Sequence, residues 1–187
     1  MDEGRNHDSP GVRVCFHGAE STGKSTLARK LATEFGCPLV EEYGRTYAET
    51  IDTNFRMTNL LSIAATQNRR MRDACAAGAG LILLDTDPLM TAAWAEMMFG
   101  HAPHDLLGYD KAEFYLLFEP DTPWVDDGTR FFGGAEERAR FAALAEDMLV
   151  RAGVGFVRIG GRWEKREEKV RAAIASVRAA VAKPLRS

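Results

Sequence analysis

The apolar positions of this chain form short runs that are separated by longer stretches with helical spacing. Five runs have the length of a strand and are almost continuously apolar, as expected for parallel strands covered on both faces. They are Val12–His17, Pro38–Val40, Leu81–Leu84, Phe114–Phe118 and Gly155–Ile159. Helices are predicted between and after them, over about 26–32 and 57–77, from Pro88, around Phe141, and from Val170 to Val181. The alternation predicts an α/β fold, a doubly wound, mainly parallel five-stranded sheet with helices on both faces.

Length, charge and cysteine content bound the class of protein. The 187 residues suit one domain, predicted over residues 12–187, and the polar first residues predict a disordered tail over 1–11. A net charge of −3 disfavours a nucleic-acid or membrane-surface partner, and no apolar run is long enough to cross a bilayer. The three isolated cysteines indicate a reducing, cytoplasmic location. A homo-oligomer is compatible with this composition.

The first apolar run leads directly into a glycine-rich motif, G-A-E-S-T-G-K-S. A strand before it and a helix after it are the context in which this spacing forms a phosphate-binding loop. Its backbone N–H groups and the helix N-terminus attract an anion, Lys24 suits the β/γ-phosphates, and the Ser25 hydroxyl suits Mg²⁺. The predicted nucleotide contacts are Gly18, Ala19, Glu20, Ser21, Thr22, Gly23, Lys24, Ser25 and Thr26.

Carboxylates follow the second and third predicted strands. Asp85 ends a buried apolar run and is predicted to hold Mg²⁺ opposite Ser25, the alternative being a helix cap. Glu42 is the preferred general base, since a kinase needs a carboxylate beside the acceptor hydroxyl; its alternative is a solvated loop acid. Asp87 is the second candidate for the base, and it equally suits the N-cap of the helix that starts at Pro88.

A segment rich in turn residues and charge, around residues 121–140, predicts a lid over the phosphates. Arg130 is the first choice for an arginine that stabilises the transferred phosphoryl group, and Arg138 is the second. An ordinary surface loop is the alternative. Arg45 suits either a phosphate or acceptor clamp or a surface ion pair, and Gln67 suits either a contact with a polar ring substituent of the acceptor or a solvated helix face.

Several motifs occur together in one order. They are Gly18–Ser25, E-Y-G-R from Glu42, Gln67, D-T-D from Asp85 with Thr91, and W-V-D-D-G-x-R from Trp124 to Arg130. Between about Val12 and Ile159 the chain thereby resembles the ribosylnicotinamide kinase domain of the NadR-type proteins, a P-loop nucleoside-kinase-like family. The resemblance implies ATP- and Mg²⁺-dependent phosphorylation of the 5′-hydroxyl of nicotinamide riboside, a step of NAD salvage.

The resemblance also implies roles for individual residues. The implied catalytic residues are Lys24, Glu42, Asp87 and Arg130, and Arg138 is an implied nucleotide contact. The implied substrate contacts are Glu42, Tyr43, Arg45, Gln67, Asp87 and Trp124.

The chain departs from the family at two aromatic positions around the pyridine ring, which here correspond to Glu41 and the neighbourhood of Arg72. Trp94 and Trp124 are the candidate replacements, and an arginine near the ring would suit a carboxylated pyridine. Two further readings stay open: a kinase of another nucleoside or small metabolite, and a non-catalytic ATP-binding regulatory protein.

Overall fold

The computed structural model describes residues 11–51, 54–124 and 131–181. Five strands form one sheet in the order β2-β3-β1-β4-β5, and every neighbouring pair is parallel. The strands are β1 (Val12–Gly18), β2 (Leu39–Val40), β3 (Leu81–Asp85), β4 (Phe114–Phe118) and β5 (Phe156–Ile159). The helices are α1 (Lys24–Phe35), α2 (Tyr43–Thr50), α3 (Met57–Ala76), α4 (Pro88–Phe99), α5 (His104–Gly108), α6 (Ala135–Arg151) and α7 (Trp163–Val181). The predicted α/β fold is confirmed.

Side chains of the sheet alternate between two hydrophobic cores. Val14 and Phe16 of β1 pack with apolar residues of α1 and α7, whereas Cys15 belongs to the core formed with α3, α4 and α6. Because both faces of the sheet are covered at its centre, every residue of β3 and every residue of β1 except Arg13 is buried, which explains the apolar runs of these strands.

The central strand β1 places the phosphate-binding loop at the middle of the sheet. It pairs with β3 on one side and β4 on the other, with Phe16 opposite Asp85. The chain crosses from one side of β1 to the other between β3 and β4, which leaves a crevice beyond the carboxyl ends of the strands where ligands bind in such sheets.

Two short helices were not predicted. Helix α2 contains Gly44, Thr46 and Thr50, which have low helix propensity, and α5 is only five residues long. The predicted tail lies outside the described residues except for Gly11, and Arg130 also lies outside them. Within the described part of the chain, no helix is long and apolar enough to span a membrane.

Candidate nucleotide and acceptor site

The backbone of the phosphate-binding loop requires glycine at two positions. Gly18 and Gly23 have φ angles of 125° and 85°, in the region that favours glycine. A Cβ at Gly18 would lie 2.5 Å from the Phe118 carbonyl oxygen, and one at Gly23 would lie 2.7 Å from the Trp163 ring. Any side chain at these positions would therefore displace the loop from β4 or from α7.

The loop surrounds a polar cavity of about 230 Å³. Its wall includes Gly18 and the run from Glu20 to Thr26, so every predicted nucleotide contact from the motif except Ala19 lines the cavity. Helix α1 begins at Lys24 and presents its unpaired N-terminal N–H groups there, which favours an anion. The Lys24 ammonium donates to the Ala19 carbonyl oxygen at 2.6 Å, and burial lowers its pKa.

A buried carboxylate faces the metal-binding hydroxyl that the motif predicts. Asp85 is 2% exposed, and the Ser25 hydroxyl lies close enough to its carboxylate to lower its pKa. Its Oδ1 atom has no hydrogen-bond partner among the described residues. An unpartnered buried carboxylate oxygen beside a hydroxyl is a donor set of hard oxygens that fits Mg²⁺. Burial raises the pKa of Asp85, and a bound cation would counter that rise.

The backbone turn at Thr86 directs the carboxylates of Asp85 and Asp87 to opposite sides of the sheet. Residues i and i+2 of a strand normally share a face, yet Asp85 faces Ser25 of α1 while Asp87 faces Tyr115 in the opposite core. Thr86 has a φ of 81°, which a branched side chain rarely adopts. This strained residue separates the predicted metal ligand from the acceptor side.

Both oxygens of Asp87 are engaged. Oδ1 accepts from the Leu89 N–H at 3.0 Å and caps α4, and Oδ2 accepts from the Tyr115 hydroxyl at 2.5 Å. Burial raises the pKa of Asp87 to about 6 despite these hydrogen bonds. The predicted capping role of Asp87 is confirmed, and the residue also lines the acceptor cavity described below.

Glu42 lies between the phosphate cavity and a second, neighbouring cavity. It precedes α2, makes no side-chain capping bond, and lines both the phosphate cavity and the neighbouring cavity. Burial raises its pKa to about 7, and the Asp85 carboxylate adds to the rise. Arg45 lies 4.0 Å away and lines the same two cavities. A carboxylate with a pKa near neutrality is suited to accept a proton.

The neighbouring cavity, which we call the acceptor cavity, is mainly apolar. Leu60, Ile63 and Met90 form its aliphatic part, and Phe55, Trp94 and Phe131 form an aromatic part. Its polar lining includes Glu20, Glu42, Arg45, Gln67, Thr86, Asp87 and Thr91. An apolar pocket with a few polar groups is typical of a small-molecule site.

Gln67 is buried and has a structural function in addition to lining this cavity. Its side-chain oxygen accepts from the Tyr43 N–H at 2.9 Å, and its nitrogen donates to the Thr86 carbonyl oxygen at 3.3 Å. The residue thus joins the start of α2 to the end of β3. Its predicted contact with a substrate stays a prediction.

Several sequence-derived candidates lie away from the acceptor cavity. Glu41 pairs with Arg29 on the surface, and Arg72 pairs with Asp110 at 2.5 Å. The idea that Arg72 stands near the acceptor ring is therefore wrong, because its guanidinium serves a different part of the surface.

Two predicted substrate contacts, Tyr43 and Trp124, are not among the described residues that line the acceptor cavity. The Tyr43 ring is covered by the Arg70 guanidinium at 4.6 Å, and the Trp124 ring lies 5.8 Å from the Arg138 guanidinium. Their contacts with a substrate stay predictions.

The described parts of the predicted lid are anchored to the phosphate-binding loop. Arg138, on α6, donates to the carbonyl oxygens of Ser21 and Thr122, and the Thr122 hydroxyl also donates to Ser21. The Arg138 guanidinium does not line the phosphate cavity as described. Residues 135–140 belong to α6, and the arginine finger predicted at Arg130 lies outside the described residues.

Two groups of site residues were missed. Met90 of α4 lines the cavity together with the predicted Asp87 and Trp94, at a helical spacing that the sequence contains, whereas Phe55 and Phe131 lie in loops and have no such signal. Arg166 is fully buried and donates to carbonyl oxygens of Thr22, Glu119, Ile159 and Gly161 and to the Asp121 carboxylate. Its charged sequence context, R-W-E-K-R-E-E-K, does not distinguish it from its exposed neighbours.

A second cluster has metal-ligand chemistry but fits a metal poorly. Ligand atoms of Cys15, His17 and Asp87 lie within 4.8 Å of one another. Burial raises the pKa of the Cys15 thiol well above its usual value, so the thiolate that a metal needs is disfavoured. We assign no metal to this cluster.

Comparison with a curated protein shows sequence similarity over most of the chain. It is 30% identical over 153 residues to the trifunctional NAD biosynthesis/regulator protein NadR of Escherichia coli (strain K12). The alignment covers 78% of this chain and 37% of that protein, so the chain spans little more than a third of its relative.

Solved structures share the fold. A NadR protein in complex with NR has a TM-score of 0.78 at 23% identity, over 97% of this chain and 55% of the other. A NadR protein in complex with NAD and AMP-PNP has a TM-score of 0.70 at 20% identity, over 95% and 52%. The thymidylate kinase of Ehrlichia chaffeensis has a TM-score of 0.63 at 13% identity, over 89% of this chain and 100% of the other.

Residues 13–166 match the family model described as an AAA domain, and the chain belongs to that family.

Proposed function

We propose that this protein is an ATP- and Mg²⁺-dependent kinase that phosphorylates the 5′-hydroxyl of a riboside, with nicotinamide riboside as the preferred acceptor. The observation that carries the proposal is the position of Glu42, which borders both the phosphate cavity and the acceptor cavity. The similarity to a NAD biosynthesis protein and to a structure holding NR supports the choice of acceptor.

On the donor side, the loop amides and the α1 N-terminus bind the phosphates, and Lys24 moves from the Ala19 carbonyl oxygen to the β/γ-phosphates. Ser25 and Asp85 hold Mg²⁺, which neutralises charge that develops on the phosphate oxygens when it is bound. The related structure with AMP-PNP supports ATP as the donor.

On the acceptor side, Glu42 accepts the proton of the attacking hydroxyl, and Asp87 orients the ribose. Glu42 is preferred as the base because its carboxylate is not used for capping, whereas both oxygens of Asp87 accept structural hydrogen bonds. Arg45 lines both cavities and is suited to bind the phosphoryl group that passes between them.

The test is a coupled assay of ADP release with purified protein, ATP, Mg²⁺ and a panel of ribosides, with mass spectrometry of the product. We expect nicotinamide riboside to give the highest kcat/KM and a product heavier by one phosphoryl group. Binding of ATP without riboside-dependent ADP release would indicate a regulatory ATP-binding protein instead. Turnover of a different nucleoside alone would reassign the acceptor and keep the kinase.

A further inference from the structure

A tyrosine hydroxyl lies in the interior of the protein, beside Asp87. Tyr115 is in β4 opposite Cys15 of β1, and its side chain is fully buried. Its hydroxyl accepts from the Ala112 N–H at 3.0 Å and donates to Oδ2 of Asp87 at 2.5 Å. Burial raises the pKa of Tyr115 well above its ordinary value, and the Asp87 carboxylate adds to the rise, so the hydroxyl keeps the proton that it donates.

The cap of α4 uses only one oxygen of Asp87. Oδ1 accepts from the Leu89 N–H, and this bond alone makes the cap. A carboxylate held by one oxygen keeps rotational freedom, because the terminal torsion of an aspartate side chain has a broad energy minimum. The bond from Tyr115 anchors the second oxygen and thereby fixes the plane of the carboxylate. Each carboxylate oxygen accepts more than one hydrogen bond, so Asp87 retains acceptor capacity for a ligand.

The Tyr115 ring is itself held by a histidine of the central strand. The imidazole of His17 meets it edge-on, with ring centroids 6.0 Å apart and an angle of 84° between the planes. His17 is fully buried, and its Nε2 donates to the Ala145 carbonyl oxygen of α6 at 2.8 Å. Burial lowers the pKa of His17 to about 3, so the imidazole is neutral. Contacts between buried polar side chains therefore run from Asp87 through Tyr115 and His17 to α6.

These contacts reach the acceptor cavity but not the phosphate cavity. Asp87 lines the acceptor cavity, and neither Asp87 nor Tyr115 is among the described residues that line the phosphate cavity. Tyr115 is not among the described residues of the acceptor cavity either, so its influence on a bound acceptor passes through Asp87. Removal of the Tyr115 hydroxyl should therefore alter acceptor binding rather than nucleotide binding.

We propose that Tyr115 is a positioning residue for the phosphoryl acceptor: its hydroxyl, oriented by the Ala112 N–H, fixes the Asp87 carboxylate in the orientation that accepts hydrogen bonds from the acceptor hydroxyls. A binding group that is already fixed in the free protein loses little freedom when the ligand arrives, which strengthens binding. The inference rests on the proposed function, in which Asp87 orients the ribose, and adds to it a residue that does not touch the acceptor.

Tyr115→Phe removes the hydroxyl and keeps the ring. We expect KM and the calorimetric Kd for nicotinamide riboside to rise about 10-fold, while kcat changes by less than about threefold and the Kd for ATP is unchanged. Tyr109→Phe is the matched control, because Tyr109 lines neither cavity as described, and it should leave these constants unchanged. A Tyr115→Phe protein with a native circular dichroism spectrum and an unchanged riboside Kd would overturn the inference. A loss confined to kcat, or shared equally by ATP binding, would overturn it as well.

Asp87→Asn tests whether the effect passes through Asp87. Residues that act through one group are not additive, so Tyr115→Phe should raise the riboside Kd by less than about twofold in the Asp87→Asn background. A further tenfold loss would show that Tyr115 acts by another route and would overturn the inference.

A crystal structure of the unaltered protein with nicotinamide riboside tests the same geometry without a variant. We expect the Asp87 carboxylate to accept from a ribose hydroxyl and from Tyr115 at the same time. A carboxylate that has rotated away from Tyr115 to meet the ribose would overturn the inference.

Binding and turnover separate this inference from the proposed function. Riboside binding that depends on Tyr115 without release of ADP would overturn the kinase and leave the positioning of the riboside in place. Release of ADP with a riboside KM that is indifferent to Tyr115→Phe would overturn the inference and leave the kinase.

Discussion

The donor and acceptor halves of the site are built in different ways. The donor half comes from consecutive residues, Gly18 to Thr26, whose backbone conformation is set by glycine and by the start of α1. The acceptor half takes side chains from α2, α3 and α4 and from two loops, which are separate segments of the chain. Phosphate is recognised by backbone N–H groups that local geometry can place, whereas a ring and a hydroxyl need side chains that only packing can gather.

The largest effect is expected where the two halves meet. Glu42→Gln should lower kcat by about 10²- to 10⁴-fold while ATP binding changes little, because the amide cannot accept the hydroxyl proton. Steady-state kinetics and a nucleotide-binding assay measure the two quantities. Glu41→Gln is the control, since Glu41 is an exposed partner of Arg29. Normal activity in Glu42→Gln together with inactive Asp87→Asn would move the base to Asp87.

The donor half also depends on one distant buried side chain. Arg166→Ala should lower the free energy of unfolding by about 3–5 kcal/mol, because the carbonyl oxygens that it joins lose their donor in the interior. Urea denaturation measures the change. Arg162→Ala, at an exposed neighbour on the same segment, should change it by less than about 0.5 kcal/mol. A similar small change in both variants would show that Arg166 does not stabilise this half.

Backbone conformation within the loop gives the next prediction. Gly23→Ala should weaken ATP binding by about 10²-fold, because a Cβ at φ 85° is strained and also meets Trp163. Isothermal titration with ATP and Mg²⁺ measures the affinity. Gly36→Ala has a comparable positive φ of 60° with no atom near the added Cβ, so it should cost about 1 kcal/mol of stability and leave ATP binding unchanged. Unchanged ATP affinity in Gly23→Ala would contradict the close-fit argument.

The smallest expected effect is a gain of stability from removing the Glu42 carboxylate. Glu42 titrates near 4.5 in an unfolded chain and at about 7 in the folded protein, so the folded state binds this proton more tightly. Its ionisation therefore destabilises the fold as the pH rises from about 4.5 to about 7. Glu42→Gln should raise the free energy of unfolding by about 1–3 kcal/mol at pH 8 and by almost nothing at pH 4. Thermal unfolding at both pH values measures this, and an equal effect at both would contradict the raised pKa.

Particular residues show how far prediction from the sequence reached. The phosphate-binding loop, the carboxylate Asp85 at the end of β3 and the cap at Asp87 follow from local spacing, and the structure places them as expected. Arg72 was misplaced because a long exposed side chain has no periodic signal that identifies its partner, here Asp110. Helix α2 was missed because its tertiary contacts with α3, rather than its propensity, stabilise it.

The sequence by itself determined the alternation of strands and helices, the phosphate-binding loop and the set of carboxylates at the strand ends. These features depend on periodicity and on glycine conformation, which act over a few neighbouring residues. Only the tertiary structure decided that Thr86 turns Asp87 away from Asp85, that Glu42 borders both cavities, and that Phe55, Trp94 and Phe131 meet. Side-chain direction at these positions depends on contacts between segments far apart in the chain, and local pattern carries no information about such contacts.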